Sequence, residues 1–320
     1  MSLDAWEWLG RRTYHFSQFD PAVLADRKDG QRISVVLPAL NEAPTVGAIV
    51  TCIRAELMER VPLVDELVVI DPGSTDATAE VAAAAGARVV RESDVLPDYG
   101  RVPGKGEALW KSLFATTGDL VCWVDADIEN IDASFVYGML GPLLSDPTVH
   151  YVKAFYERPL AERGRLRKTG GGRVTELVAR PLINLHWPEL AGVIQPLSGE
   201  AAGRRAFLEQ VPFASGYGVE LGLLVDMLDL VGLDAMAQVD LERREHRNQD
   251  AQALGRMAFH VLQTAQERLQ REGRMTLTDK PGSTLFQFKN RYREYRMVPH
   301  EFPVTDRPPM CTVPEYTARP

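Results

Sequence analysis

The sequence predicts an α/β protein: a three-layer fold with a mostly parallel central sheet and a helical C-terminal extension. Two observations predict it. From residue 33 onward, short apolar runs alternate with helix-like segments, the pattern of repeated β-α-β units. One run, Leu120-Val121-Cys122-Trp123-Val124, is apolar throughout, as a strand covered on both faces should be.

The elements follow in order. Residues 1–31 are aromatic-rich and read as an irregular arm. Ile33 to Leu37 is the first strand. Pro44 suits a first helical turn and opens a helix to about Met58. Leu67 to Ile70 is the second strand. Ser74 or Thr75 caps a helix that ends at Gly86, a residue suited to the left-handed C′ position. Ala87 to Val90 is the third strand, Gly106 to Ala115 a helix, and Leu120 to Val124 the fourth strand. A helix over Ser134 to Leu144 and a strand over His150 to Tyr156 come next. Gly170-Gly171-Gly172 breaks the chain. Val174 to Leu185 then reads as helical, with Pro181 a kink or break. Gly218 to Val231 is an apolar helix, Leu233 to Leu241 a strand, and Ala251 to Arg271 an amphipathic helix. The expected organisation is one domain over 32–250, with halves at 32–128 and 129–250. Residues 251–320 are expected to be a helix and a Pro-rich tail that packs over a neighbour or a second subunit.

Composition narrows the function. The 320 residues suffice for one large α/β domain or one and a half. No run nears the roughly 18 apolar residues of a membrane span, and Met1 to Asp20 carries no basic-then-apolar leader. Cys52, Cys122 and Cys311 are far apart and read as incidental thiols of a reducing, cytoplasmic compartment. A net charge of −8 argues against a nucleic-acid surface. An anionic small substrate would need a local basic cluster. Arg158, Arg163, Arg165, Arg167, Lys168 and Arg173 supply one, against the single acid Glu162.

Four segments at strand ends carry chemistry. Pro38-Ala39-Leu40-Asn41-Glu42 closes the first strand where a bound nucleotide would meet it. Asp71-Pro72-Gly73-Ser74-Thr75-Asp76 closes the second and offers an acid, a turn and hydroxyls leading into a helix. Gly104-Lys105-Gly106 gives backbone access and a point charge for phosphate. Asp125-Ala126-Asp127 places two carboxylates at the end of the fourth strand, enough to begin a site for a hard divalent cation. Each alone equally fits a capped turn or a solvated loop; together they fall on one edge of the sheet. No Gly-x-Gly-x-x-Gly follows the first strand, which argues against a dinucleotide dehydrogenase.

These segments together resemble a GT-A glycosyltransferase, a Rossmann-like fold. Gly170-Gly-Gly-Arg-Val-Thr-Glu-Leu-Val-Ala-Arg-Pro181, Gln195-Pro-Leu-Ser-Gly-Glu200 and Gly216-Tyr-Gly-Val-Glu220 narrow the resemblance. Over residues 32–250 the chain is similar to the glucosyl-3-phosphoglycerate and mannosyl-3-phosphoglycerate synthases of glycosyltransferase family 81. The resemblance implies retaining transfer of a hexose from a nucleoside-diphosphate sugar, UDP-glucose or GDP-mannose, to the 2-hydroxyl of 3-phosphoglycerate. Mg²⁺, or another divalent cation such as Mn²⁺ or Co²⁺, and a homodimer are implied with it. By the same resemblance Pro38, Ala39, Leu40, Glu42, Ser74, Lys105 and Asp125 meet the nucleotide-sugar. Arg244 joins that set, and Tyr217 lies near the sugar with Glu220. Asp127 and His246 hold the metal. Gly172, Arg173, Thr175 and Asn248 hold the acceptor. The catalytic candidates are Asp127, Arg173 and Glu220. No residue stands out as a nucleophile; Glu220 is a candidate, and front-side attack within the donor–acceptor pair is the expectation for a retaining enzyme. The residues themselves support the acceptor assignment. Glycines before a helix start expose N–H groups, and Arg173 adds a fork suited to phosphate or carboxylate.

The chain departs from the family pattern at Pro72 and Ala126, and outside 32–250, so the donor base and sugar stay open. Two alternatives are a GT-A transferase with another acceptor and a non-catalytic nucleotide-sugar-binding protein. A sugar nucleotidyltransferase would need a Gly-rich basic signature that residues 38–44 lack.

Overall fold

The apolar runs meet in one eight-stranded sheet in the computed structural model, which describes residues 3–157, 160–162, 165–167, 172–245, 250–291, 294–303 and 305–319. In chain order the strands are β1 (Thr13–His15), β2 (Ile33–Pro38), β3 (Glu66–Asp71), β4 (Arg88–Arg91), β5 (Leu120–Trp123), β6 (Tyr151–Glu157), β7 (Leu160–Glu162), β8 (Arg165–Arg167), β9 (Ala201–Arg204), β10 (Phe213–Ala214), β11 (Met236–Arg243), β12 (Thr284–Arg291), β13 (Glu294–Glu301) and β14 (Asp306–Arg307). The helices are α1 (Leu3–Arg12), α2 (Pro21–Asp26), α3 (Ala43–Arg54), α4 (Thr78–Ala85), α5 (Lys105–Ala115), α6 (Ser134–Ser145), α7 (Arg180–His186), α8 (Arg205–Leu208), α9 (Val219–Val231), α10 (Ala251–Arg271) and α11 (Pro314–Thr317). The main sheet runs β1-β11-β6-β9-β5-β2-β3-β4. Only β9 is antiparallel, to both β5 and β6.

Alternation along the central strands builds the three layers. Ile33, Val35 and Leu37 face one core with Leu120, Cys122 and Val124, and α3 and α6 cover it. Val36, Val121 and Trp123 face a second core, covered by α5, α9 and α10. Each central strand is thus buried on both faces, which is why its sequence reads as a continuous apolar run.

Several expectations need correction. Residues 1–31 are not irregular: α1 packs by way of buried Trp8, whose indole Nε1–H donates to the Met236 carbonyl at 2.9 Å. β1 then pairs with β11 at the sheet edge. A three-residue strand is too short to show a period in sequence. β9 was not expected, because Ala201-Ala202-Gly203-Arg204 has no β-branched or aromatic residue. Its insertion makes the sheet mixed. Pro181 does not end the helical run: it sits in the first turn of α7, directly after a π turn over Thr175–Ala179. The helix after β2 is α3 prolonged by a π turn over Ala55–Arg60. The strand expected from Leu233 begins at Met236, after a 3₁₀ turn. Within residues 251–320, β12 and β13 form a hairpin, and β14 returns to pair with β10. Met310 and Val313 are buried in the second core, so the end of the tail packs on its own chain. Among the described residues no helix is long and apolar enough to cross a membrane.

Candidate active site

Parallel pairing puts the C-terminal ends of β2, β3 and β5 on one edge, and the loops that follow interlock there. After β2, Asn41 turns left-handed at φ 58°. Its Oδ1 accepts from the Thr75 N–H at 2.8 Å, and its own N–H donates to Ser74 Oγ at 3.0 Å. After β3, Asp71 Oδ1 accepts from the N–H groups of Gly73 and Ser74 and from Ser74 Oγ, at 2.7–3.0 Å. The Ser74 hydroxyl therefore ties the two loops together and does not line the cavity they border.

That cavity has a volume of about 620 Å³, within the range of small-molecule sites. Pro38, Ala39, Leu40, Glu42, Lys105, Asp125 and Asp127 line it, as the sequence suggested. Lys105 stands in the first turn of α5. Gly106 lets that turn approach closely: a Cβ there would collide with the Ala214 carbonyl. Lys105 Nζ bonds Asp125 Oδ1, donates to the Gly199 carbonyl at 3.1 Å and lies 3.3 Å from Glu220 Oε1. Burial opposes its charge, but Asp125, Glu220 and Glu200 outweigh that and hold its pKa well above the ordinary value.

Arg244 is the second cation of the site. Its Nη2 reaches Asp125 Oδ2 at 3.0 Å and also bonds Asp127 Oδ1. Its Nη1 donates to Tyr156 Oη at 2.7 Å and lies 3.1 Å from Glu200 Oε1. Tyr156 in turn donates to Glu200 Oε2 at 2.5 Å. Burial opposes this charge too, yet Glu200, Tyr156, Asp125 and Asp127 raise the pKa of Arg244 well above its usual value. Lys153, fully buried on β6, donates to the Ser198 carbonyl at 2.5 Å. Burial drives its pKa down to about 8, Lys105 adding to the effect and Glu220, Glu200 and Asp125 opposing it.

The donor chemistry fits a divalent cation. Two carboxylates stand side by side after β5, both partly open to the cavity, with a guanidinium already resting on them. A hard cation takes such oxygens and fills its remaining positions with diphosphate and water. Among the described residues no group of three or more His, Cys, Asp or Glu is placed to hold a metal. His246 and Asn248, expected at the metal and the acceptor, lie outside the described residues, as do Gly170 and Gly171.

Gly172, Arg173 and Thr175 line the same cavity. Gly172 has φ 77°, and its carbonyl accepts from the Glu176 N–H at 3.0 Å as the helical segment begins. Thr175 is buried and Arg173 exposed. Tyr217 and Glu220 complete this wall, Tyr217 fixed by its N–H donating to His260 Nδ1 at 3.0 Å. Residues that sequence reasoning missed line the cavity as well: Glu92, Arg101, Gly199, Met257, His260 and Phe302. Met257 and His260 belong to α10, whose amphipathic pattern announces a packed face and not a site. A Cβ on Gly199 would collide with the Asp125 carboxylate, a constraint with no local signature.

Residues 34–211 match the family described as Glycosyl transferase family 2. The chain is 47% identical over 309 residues to the glucosyl-3-phosphoglycerate synthase of Petrotoga mobilis, covering 96% of this chain and 95% of that one. It belongs to the glucosyl-3-phosphoglycerate synthase family of glycosyltransferases. Solved structures of the family carry the same fold. The mannosyl-3-phosphoglycerate synthase of Rubrobacter xylanophilus superposes with a TM-score of 0.87 at 43% identity, over 96% of this chain and 97% of that one. The glucosyl-3-phosphoglycerate synthase of Mycobacterium tuberculosis, in complex with Mn²⁺, UDP-glucose and phosphoglyceric acid, gives 0.82 at 44% identity, over 93% and 97%. Another crystal structure of that enzyme holds Mg²⁺ and UDP.

Proposed function

We propose that this protein transfers a hexosyl group, with retention, from a nucleoside-diphosphate hexose to the 2-hydroxyl of 3-phosphoglycerate. The observation that carries the reading is the joined set Lys105–Asp125–Arg244–Asp127 on the wall of a cavity that Gly172, Arg173 and Thr175 also line. A departing diphosphate gathers negative charge, and fixed cations beside it lower the barrier. Lys105 and Arg244 are such cations, held in place by carboxylates before the donor arrives. Mg²⁺ or Mn²⁺, held by Asp127 with Asp125 and His246, would add Lewis-acid charge at the same oxygens. Arg173, Gly172, Thr175 and Asn248 would hold the acceptor's phosphate and carboxylate, and Tyr217 would border the sugar. Glu220 is salt-bridged to Lys105, which suits a carboxylate that stabilises or positions more than one that attacks. The reading therefore keeps front-side attack.

The donor sugar divides two readings. Sequence identity to the glucosyl enzyme of Petrotoga mobilis favours glucose. The mannosyl enzyme of Rubrobacter xylanophilus, 43% identical over nearly the whole chain, keeps mannose as the second reading. Purified protein with Mg²⁺ and 3-phosphoglycerate, offered UDP-, GDP- and ADP-hexoses, decides between them by mass spectrometry of the product. No hexosyl-phosphoglycerate from any donor would sink the proposal.

The exposed Phe286, Phe288, Tyr295 and Met297 of the β12–β13 hairpin support a homodimer, to be checked by light scattering after size exclusion. Charged phosphorylated substrates, and cysteines that form no disulfide, support a cytoplasmic location.

A further inference from the structure

Glu92 lines the cavity, yet the machinery above does not use it. It follows β4 directly, and the pairing of Asp71 with Arg91 sets it beside Pro72, which also lines the cavity. The residue is 1% exposed, and its Oε2 is buried without a hydrogen-bond partner. Neighbouring cations are committed elsewhere. Lys111 Nζ donates to the Glu92 main-chain carbonyl at 2.9 Å and lies 3.2 Å from Glu107. Arg307 takes both Glu107 oxygens, at 2.5 and 2.8 Å. Arg101 donates to the Pro72 carbonyl at 2.6 Å. A buried carboxyl oxygen left over in a cavity wall calls for a partner from the ligand.

The next step rests on the nucleotide-donor reading, in which Pro38, Ala39 and Leu40 meet the nucleotide; Pro72 and Glu92 line the same cavity. We propose that Glu92 reads the hydrogen-bonding edge of the donor's nucleobase. An ionised carboxylate accepts two N–H bonds and matches the adjacent N1–H and N2–H of guanine. A carboxylic acid accepts one and donates one, and matches N3–H beside O4 of uracil. Burial, and then the Glu107 charge, push the Glu92 pKa up to about 7, against the opposing pull of Lys111, Arg101 and Arg307. Both forms are then populated near neutrality, so the preferred base shifts with pH: uracil on the acid side, guanine on the alkaline side.

The test is calorimetric binding of UDP and of GDP, each with Mg²⁺, to the full chain. At pH about 6 and about 8, a unit either side of the Glu92 value, UDP affinity falls and GDP affinity rises, each about ten-fold, so their ratio falls about 100-fold from the lower to the higher pH. Glu92→Gln keeps one acceptor and one donor at every pH and holds the preference for UDP at both. A wild-type ratio that ignores pH, with both nucleotides bound, overturns the role of Glu92 alone. A Glu92→Gln ratio that still shifts does the same. Binding of neither nucleotide overturns the donor reading and this proposal with it.

Discussion

Arg244 contacts Asp125, Asp127, Glu200 and Tyr156 at once, and the site's response to substitution follows from that. Asp127 has a side chain 31% exposed, and without it Arg244 keeps its other partners. Asp127→Asn should change stability by no more than about 1 kcal/mol. Transfer should fall by two orders of magnitude or more, roughly the cost of a lost electrostatic group. Turnover and the urea midpoint, measured together, check it; unchanged turnover removes Asp127 from the metal assignment. Arg173→Ala should raise the KM for 3-phosphoglycerate by the equivalent of about 1.5–3 kcal/mol, the range for a lost charged contact. Steady-state kinetics reads this, and a weakened donor with an unchanged acceptor KM would exclude it from the acceptor site. Lys153 sets a pH dependence. Its folded pKa of about 8 lies below the ordinary 10.5, so between those values the unfolded chain holds more protons. Stability contributed by this group is lowest below pH 8 and rises with pH across that window. Lys153→Met should remove the rise, seen as the difference between variant and wild-type denaturation midpoints across the same pH range.

At the level of elements, the strand-end loops owe their positions to contacts far apart in sequence. Lys105 opens α5, Asp125 follows β5 and Glu220 lies in α9, yet one ammonium joins them. Gly199, just before β9, allows the Asp125 carboxylate to occupy the space a side chain would fill. Gly199→Ala should therefore push Asp125 off Lys105 and lower kcat/KM about 100-fold, the scale of an ångström misplacement. Kinetics beside an unchanged circular-dichroism spectrum is the check. Wild-type activity would mean that Asp125 moves without consequence.

On the scale of the whole molecule, the tail closes back on the catalytic layer. Arg307 on β14 grips the buried Glu107 of α5 and donates to the carbonyls of Tyr99 and Gly100, at 2.7 and 3.1 Å. α5 carries Lys105, so the far end of the chain braces the residue on which the phosphate reading depends. Arg307→Met would leave Glu107 buried with Lys111 as its remaining ion-pair partner among the described residues. Breaking a buried pair in this way costs about 3–5 kcal/mol. A denaturant titration reads the loss. A midpoint shift of less than about 1 kcal/mol in equivalent stability would show the clamp to be dispensable.

Much of the fold and of the site is legible in the amino-acid sequence alone. The central strands are buried on both faces, so their own composition marks them. The loops at their ends carry the glycines, hydroxyls and acids that turns and phosphates require. Asp125, Asp127, Lys105 and Gly172 can be named from such local signals. Ser74 can be named too, but its hydroxyl is spent on neighbouring loops, a matter of packing that its motif does not encode. β1 and β9 are hidden because one is too short and the other too small in its side chains to show a period. Glu92, Gly199 and Arg307 are hidden for a deeper reason. Burial without a partner, a missing Cβ against Asp125 and a clamp across 200 residues are relations between distant segments, and they exist only once the chain has folded.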